Sequence, residues 1–166
     1  MKNTAIIIPA RLGAKRFRNK PLVKINGIPM IIHVLNRAKE SRVGDVFVAT
    51  PDNEIVDIVK ENGGQAILTK HDHLSGSDRV YEAYLKQLKD KVNLIINLQG
   101  DMPNIKPNSI LKLEKLMRSN ECDIGTLASY IVDKNEITDT NVVKVEMSEM
   151  LKDDDFFTAK DFFRTK

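Results

Sequence analysis

Short runs of apolar residues recur along most of the chain and are separated by segments with helical periodicity. Continuous apolar runs without polar alternation are typical of strands that are buried on both faces of a sheet. They predict strands at residues 5–9, 45–50, 66–69 and 93–98. Two further strands are predicted at residues 124–132 and 142–145.

Between these runs, apolar residues recur at the three- and four-residue spacing of a helix that packs one face against a core. Met30, Ile31, Val34 and Leu35 form the clearest such pattern, and Pro29 stands where a first-turn proline is favoured. Further helices are predicted at residues 54–59, 77–89 and 110–117. This alternation of strand and helix predicts a three-layer α/β fold in which helices cover a mainly parallel sheet.

Residues 147–166 depart from this pattern, which predicts a domain of residues 1–146 followed by an atypical tail. The tail combines three consecutive aspartates, Asp153 to Asp155, with Phe-Phe pairs at 156–157 and 162–163. Two aromatic pairs beside a triple acid do not form one apolar face. Two interpretations therefore stay open: a docking helix, or a tail that lacks its partner.

Length and composition indicate the size of the domain and the compartment in which we expect the protein. With 166 residues, 42% of them hydrophobic and 30% charged, the chain is long enough for one globular domain with a core. It contains no apolar run of about 18 residues, so no transmembrane helix is predicted. The N-terminal apolar stretch is too short for a signal-peptide core, and we expect a cytoplasmic protein. The single cysteine, Cys122, excludes an internal disulfide and a cysteine metal cluster.

Charge is distributed unevenly, although the net charge is only +3. Residues 1–40 contain nine lysines and arginines against one acid, Glu40. This asymmetry indicates an anionic ligand near the N-terminus, the alternative being a solvated basic face. Nucleic acid is a weaker candidate, because aromatic residues are few and no stacking platform is visible.

A basic loop, residues 9–22, lies between the first predicted strand and the first predicted helix. In open α/β sheets, ligands bind outside the carboxyl ends of the strands, where such a loop presents backbone N–H groups and positive charge to phosphates. Arg11 and Arg16 can make forked contacts with phosphate oxygens, and Lys20 can act as a point charge. The loop is neither a Walker A motif nor a G-x-G-x-x-G motif, and a plain surface loop is the alternative.

Two further motifs carry candidate chemistry. Residues 75–79, Ser-Gly-Ser-Asp-Arg, open a predicted helix, where free N–H groups face a ligand and one of the serines can serve as N-cap. Arg79 either faces a phosphate or pairs with Asp78. Asp101 follows Gln99 and Gly100 at the tip of a buried strand, which suits a Mg²⁺ ion held by one carboxylate and substrate phosphates. A turn-forming Gly-Asp pair is the alternative.

Taken together, these motifs resemble the 3-deoxy-manno-octulosonate (KDO) cytidylyltransferases, also called CMP-KDO synthetases. The resemblance spans residues 3–146 and rests on the order and spacing of Ile8-Pro9-Ala10-Arg11, Lys20-Pro21-Leu22, the motif at 75–79, and Gln99-Gly100-Asp101. It implies a Rossmann-like nucleotide-diphospho-sugar transferase fold. It also implies a Mg²⁺-dependent reaction in which KDO attacks CTP to give CMP-KDO and pyrophosphate for lipopolysaccharide biosynthesis.

The resemblance also implies residue roles. Arg11, Arg16 and Lys20 would hold the triphosphate and act in catalysis, and Asp101 would bind Mg²⁺. The expected CTP-binding residues are Ala10, Ser75, Gly76, Arg79 and Gln99. No nucleic-acid partner and no membrane insertion are expected.

Members of the resembled family run further, and their later segment supplies a second metal-binding aspartate, sugar contacts and dimer surface. The chain is therefore expected to be a C-terminally truncated member. Two alternatives to an active enzyme stay open: a truncated remnant that binds nucleotide without turnover, and a split-enzyme half that needs a partner chain. A homodimer or the missing half are the expected protein partners.

Overall fold

The structure is a computed structural model that describes residues 3–13, 17–119, 122–147 and 156–165. Its strands are β1 (Thr4–Pro9), β2 (Lys24–Ile25), β3 (Ile28–Pro29), β4 (Asp45–Thr50), β5 (Gln65–Leu68), β6 (Leu94–Asn97), β7 (Lys144–Met147) and β8 (Ala159–Phe163). Its α-helices are α1 (Met30–Glu40), α2 (Asn53–Glu61), α3 (Gly76–Ala83), α4 (Pro107–Ser119) and α5 (Asn135–Thr138). A 3₁₀ turn, Lys20–Leu22, and a π-helical turn, Tyr84–Leu88, complete the set.

The central sheet has four strands in the order β5-β4-β1-β6, and every pairing in it is parallel. Ile6 of β1 lies opposite Val46 of β4 on one side and Ile96 of β6 on the other. The four strands are those predicted from apolar runs, and the mainly parallel α/β architecture is confirmed. Because the strands are parallel, their carboxyl ends meet at one edge of the sheet.

Side chains alternate along β1 between two separate core layers. Ile6 and Ile8 join a cluster on one face with residues of α1, α2 and α4, including Leu35 and Ile55. Ala5 and Ile7 join a second cluster on the other face with Val80 and Ala83 of α3. The sheet is therefore covered on both faces, which explains why its strands read as continuous apolar runs.

The chain divides into two compact units, Met1–Glu114 and Lys115–Lys166. Within the second unit, β7 and β8 pair antiparallel, with Val145 opposite Phe162. Lys144 is buried, and its Nζ donates to the backbone carbonyl of Arg164 at 2.9 Å. The predicted boundary at 146/147 thus falls within β7, and residues 156–165 of the predicted tail include the partner strand. Asp153 to Asp155 lie outside the described residues.

Two predicted elements differ from the structure. The apolar stretch 124–132 forms no strand in the described segment 122–147, and Ile124 and Val132 are exposed. Apolar, β-branched residues favour a strand only where another strand offers backbone partners, and that is a tertiary condition. The helix predicted at 77–89 ends as an α-helix at Ala83 and continues as the π-helical turn.

Every helix in the described part of the chain is too short or too polar to span a membrane.

The burial of α1 against the sheet generates a stability prediction. Leu35 is fully buried, so Leu35→Ala should lower the free energy of unfolding by about 2–5 kcal/mol, through lost transfer energy and a residual cavity. Leu74→Ala is the matched control, because Leu74 is 95% exposed and its truncation should change stability by less than about 0.5 kcal/mol. Urea unfolding of both variants measures the difference, and equal effects would contradict the assigned packing of α1.

Candidate functional site

The site begins where β1 and β6 end side by side. Leu98 N donates to Ile7 O at 3.0 Å, which extends the pairing of the two strands beyond β6. A Cβ atom on Gly100 would lie 2.9 Å from Pro9 O, so only glycine permits this approach without displacement. The structure thus brings residues 9–11 and 99–101 together at one edge of the sheet.

The described part of the basic loop is held by β4 and by the connection between β4 and α2. Ala10 is buried, and its N–H donates to Ala49 O at 2.9 Å. Leu12 N donates to the carboxylate Oδ2 of Asp52 at 2.8 Å. Arg11 lies between these two anchor points and is exposed. Arg16 lies outside the described residues.

Asp52 is a site residue that the sequence reading missed. It stands directly before α2, where an aspartate ordinarily caps its own helix, but its side chain makes no cap hydrogen bond there. Its carboxylate instead binds Leu12, forty positions earlier in the chain. The position of Asp52 just beyond the end of a predicted parallel strand could have marked it as a site residue. Its hydrogen-bond partner, however, depends on the order of the strands in the sheet.

Lys20 and Asp101 form an ion pair, with 2.7 Å between Lys20 Nζ and Asp101 Oδ2. Their side chains are 39% and 52% exposed, so solvent screens the pair and it contributes only about 0–1 kcal/mol. The structure therefore joins a predicted phosphate-binding cation and the predicted metal-binding carboxylate. Either partner can exchange the other for a ligand at little cost.

The start of α3 completes the same edge of the sheet. Ser75 is its N-cap, and a capping box joins Ser75 to Asp78: Asp78 N donates to Ser75 Oγ at 3.1 Å, and Ser75 N donates to Asp78 Oδ2 at 2.9 Å. Hydrogen bonds from the Ser75 side chain and backbone lower the pKa of Asp78. A Cβ atom on Gly76 would lie 3.4 Å from Pro9 Cγ, which places this turn beside the end of β1.

A chain of amides joins α3 to the end of β6. Gln99 Nε2 donates to Asn97 Oδ1 at 3.1 Å, and Asn97 Nδ2 donates to Ser77 Oγ at 3.4 Å. Gln99 was a predicted site residue, whereas the bridging roles of Asn97 and Ser77 were not predicted. Their spacing in the sequence gives no signal, because the contact depends on how α3 packs on the sheet.

Arg79 is buried and supports the β5–α3 loop from inside. Its guanidinium donates to Thr69 Oγ1 and to Lys70 O, the latter at 2.8 Å. The predicted alternative of an Arg79–Asp78 pair is wrong, because the buried guanidinium binds Thr69 and Lys70 instead. Burial, followed by the nearby charge of Arg11, lowers the pKa of Arg79. Its role in CTP binding stays a prediction.

Glu82 forms a second unpredicted cluster behind this loop. Its carboxylate contacts the His73 imidazole, lies 2.7 Å from Lys86 Nζ, and accepts from Lys70 N at 3.0 Å. Burial alone raises the pKa of Glu82, but the hydrogen bonds from Lys86, His73 and Lys70 outweigh it and lower the pKa to about 2. The carboxylate is therefore charged at neutral pH.

Asp101 is the carboxylate predicted to bind a metal ion, and this role stays a prediction. Among the described residues, no group of three or more His, Cys, Asp and Glu side chains is arranged to hold a metal ion. A Mg²⁺ ion usually takes one or two protein carboxylates and completes its shell with phosphates and water. The half-exposed Asp101 carboxylate, beside the basic loop, fits that partial role.

Comparison with known proteins places this geometry in context. A family model described as "Cytidylyltransferase" matches residues 5–166, which extends past residue 146, where the predicted resemblance ends. The chain is 45% identical over 142 residues to a 3-deoxy-manno-octulosonate cytidylyltransferase of Nitrobacter winogradskyi, covering 85% of this chain and 56% of that protein. It is 46% identical over 143 residues to one from Rhodopseudomonas palustris, covering 86% and 58%.

Solved structures agree with these sequence relatives. A CMP:2-keto-3-deoxy-manno-octonic acid synthetase in complex with CTP superposes with a TM-score of 0.81 and 34% identity, over 98% of this chain and 64% of that one. A 4-diphosphocytidyl-2C-methyl-D-erythritol synthase from Anaerococcus prevotii, at 14% identity and a TM-score of 0.56, shares the fold alone. The chain spans little more than half the length of the curated relatives it matches.

The lowered pKa of Glu82 generates a prediction about acid stability. The folded state holds this group unprotonated from pH 4.5 down to about 2, whereas the unfolded state binds a proton there. The stabilisation is therefore complete above pH 4.5 and is lost as the pH falls towards 2. Glu82→Gln should be less stable than wild type at neutral pH, and the difference should shrink across this window.

Denaturant unfolding at neutral pH and at points below pH 4.5 measures this effect. Glu61→Gln is the matched control, since Glu61 is an exposed carboxylate at the C-terminal end of α2 and its removal should have a small effect at every pH. A Glu82→Gln difference that stays constant as the pH falls would show that the carboxylate charge does not contribute.

Proposed function

The chain belongs to the cytidylyltransferase family, and on this premise we propose that it activates KDO with CTP, forming CMP-KDO and pyrophosphate for lipopolysaccharide assembly. The observation that carries the proposal is the 2.7 Å pair between Lys20 and Asp101 at the carboxyl edge of the sheet. This pair joins a phosphate-binding loop to a carboxylate able to hold a divalent cation. The names of the curated relatives and of the CTP-bound structure support the choice of substrates.

Three cations of the basic loop would bind the triphosphate: Arg11, Arg16 and Lys20. The hydrogen bond from Leu12 N to Asp52 supports this role, because it fixes the backbone next to Arg11 before the ligand arrives. A forked guanidinium matches two phosphate oxygens at once, and a preorganised cation stabilises developing charge without reorganisation.

The nucleoside would lie against the start of α3, near Ser75 and Gly76. The nearness of Gly76 to Pro9 supports this position, because the turn can approach a base closely without a side chain between them. Gln99 would contact the nucleotide while Asn97 orients its amide at 3.1 Å. Ala10 and Arg79 are both buried and would form the inner wall of the nucleotide site.

Asp101 would hold Mg²⁺ through its carboxylate, with phosphate oxygens and water as the other ligands. When bound, the ion would neutralise charge on the phosphates and polarise the α-phosphorus. Lys20 would then leave Asp101 and pair with a phosphate oxygen, an exchange that the weak, exposed ion pair permits.

The transfer itself is a displacement at phosphorus. The anomeric 2-hydroxyl oxygen of KDO forms a bond to the α-phosphorus, the bond from that phosphorus to the bridging oxygen breaks, and the hydroxyl proton is released. The bonding electron pair leaves with pyrophosphate. Arg11 and Lys20 would contribute by positioning and charge neutralisation, which dominate such transfers.

We place the reaction in the cytoplasm, where CTP is available. A homodimer, or a chain supplying the remainder of the longer relatives, would be the protein partner. Among the described residues, no group of three or more His, Cys, Asp and Glu side chains is arranged to hold a metal ion, so ligands in addition to Asp101 would come from such a partner or from substrate. A chain that binds CTP without turnover is the second candidate function.

The basic loop generates a binding prediction. The chain should bind CTP in preference to ATP and GTP, and Arg16→Ala should weaken triphosphate binding about 10- to 100-fold, because a charge-assisted hydrogen bond contributes about 1.5–3 kcal/mol. Arg37→Ala is the matched control, since Arg37 is exposed near the end of α1 and pairs with Glu40. Isothermal calorimetry measures both. Equal affinity for all three nucleotides, or an unchanged Arg16→Ala variant, would count against the assignment.

Asp101 generates a prediction about turnover. Pyrophosphate release from saturating CTP, KDO and Mg²⁺ should fall at least about 100-fold in Asp101→Asn, because the carboxylate that holds the metal is lost. Asp57→Asn, at an exposed position of α2, should leave the rate unchanged. If the wild-type chain binds CTP but releases no pyrophosphate, the second candidate function, CTP binding without turnover, replaces the proposed activity. If the wild-type chain does not bind CTP, the proposed activity is rejected.

A further inference from the structure

Two residues of α3 hold the backbone of Lys70 from both sides. Glu82 Oε2 accepts from Lys70 N at 3.0 Å, and the Arg79 guanidinium donates to Lys70 O at 2.8 Å. Glu82 follows Arg79 by three positions, so both side chains leave the same face of the helix. The β5–α3 loop, residues 69–75, is thereby tied to the helix that it precedes.

His73 gives the loop a third attachment. Its Nε2 contacts Glu82 Oε2, and the two side chains are only 17% and 14% exposed. Lys86 Nζ lies 2.7 Å from the other carboxylate oxygen and also donates to Leu68 O at 2.9 Å. The Glu82 carboxylate thus joins two positions of the loop to the helical segment beneath it.

This cluster is not needed to begin the helix. Ser75 and Asp78 already satisfy the first turn of α3 through their capping box. Nor does apolar packing fix the residues just before the helix, because Leu74, between His73 and Ser75, is 95% exposed. The position of the chain as it reaches Ser75 therefore depends on the polar contacts of His73 and Lys70 with Glu82.

We propose that Glu82 and His73 are positioning residues that set the approach of Ser75 and Gly76 to the nucleoside of CTP. This inference rests on the proposed function, and it extends that function to two residues that would act through the loop backbone. Their carboxylate–imidazole contact fixes the chain two residues before the helix start, and Gly76 in turn lies beside Pro9 at the end of β1. The charged groups that face Glu82 are His73 on the loop, Lys86 beyond α3, and Arg79 within α3.

The pair acts on the nucleoside side of the site, whereas the basic loop has its own anchor in Asp52. Loosening Glu82 or His73 should therefore weaken binding of the cytidine part and leave phosphate binding intact. A general loss of stability would weaken both. Inorganic tripolyphosphate, which contains only the phosphate chain, separates these two outcomes.

The test compares Glu82→Gln and His73→Gln with wild type and with the exposed control Glu61→Gln. We expect CTP affinity to fall roughly 3- to 10-fold in both test variants, as for the loss of one or two hydrogen bonds. Affinity for tripolyphosphate should be unchanged. Hydrogen exchange of the Lys70 amide should accelerate in Glu82→Gln and not in Glu61→Gln.

Unchanged CTP affinity in both variants, or an equal loss of CTP and tripolyphosphate affinity, would overturn the inference. His73→Gln provides the decisive measurement if Glu82→Gln does not fold, because His73 lies on the loop outside α3. A wild-type chain that does not bind CTP would reject the proposed function, and the inference with it. If the wild-type chain binds CTP and both variants bind it equally tightly, the positioning role of Glu82 and His73 is rejected and the proposed function is retained.

Discussion

The pairing of β1 between β4 and β6 is the constraint from which the candidate site follows. β1 is hydrogen-bonded on both sides and buried on both faces, so its position in the first unit is fixed by the core. The parallel direction of its neighbours then brings three connections to one edge: the basic loop, the turn holding Asp52, and the turn holding Asp101. The bare α-carbon of Gly100 allows the last of these to approach the first closely.

Two loops at this edge are held through a backbone N–H group by a carboxylate from a neighbouring element. Asp52 holds the basic loop and Glu82 holds the loop before α3, whereas Asn97 orients the side chain of Gln99 within its own segment. Backbone N–H groups in such loops have no ladder partner, and an acceptor from a neighbour satisfies them while fixing the loop. The side chains proposed to bind phosphate can therefore remain exposed and charged, while the backbone that carries them is held in place.

The two compact units contribute differently to this interpretation. Every described residue of the candidate site lies in the unit Met1–Glu114. The unit Lys115–Lys166 contains the β7–β8 pair, whose strands lie within the range matched by the family model. The residues proposed to bind the nucleotide therefore all belong to the first unit.

The sequence by itself determined the four strands of the central sheet, the approximate positions of the helices between them, and the location of the basic loop and of Asp101 beyond the ends of buried strands. Apolar runs reveal burial on both faces, and parallel strands must end at a common edge, so these conclusions need no coordinates. The sequence also indicated that one of Ser75 and Ser77 caps α3, because capping is a local pattern, and the structure assigns the cap to Ser75. The tertiary structure alone decided the partners of Asp52, Arg79 and Glu82, as well as the absence of a strand at 124–132 within the described segment. Contacts between residues distant in sequence depend on strand order and helix packing, and a strand needs a neighbour to pair with, which no local pattern encodes.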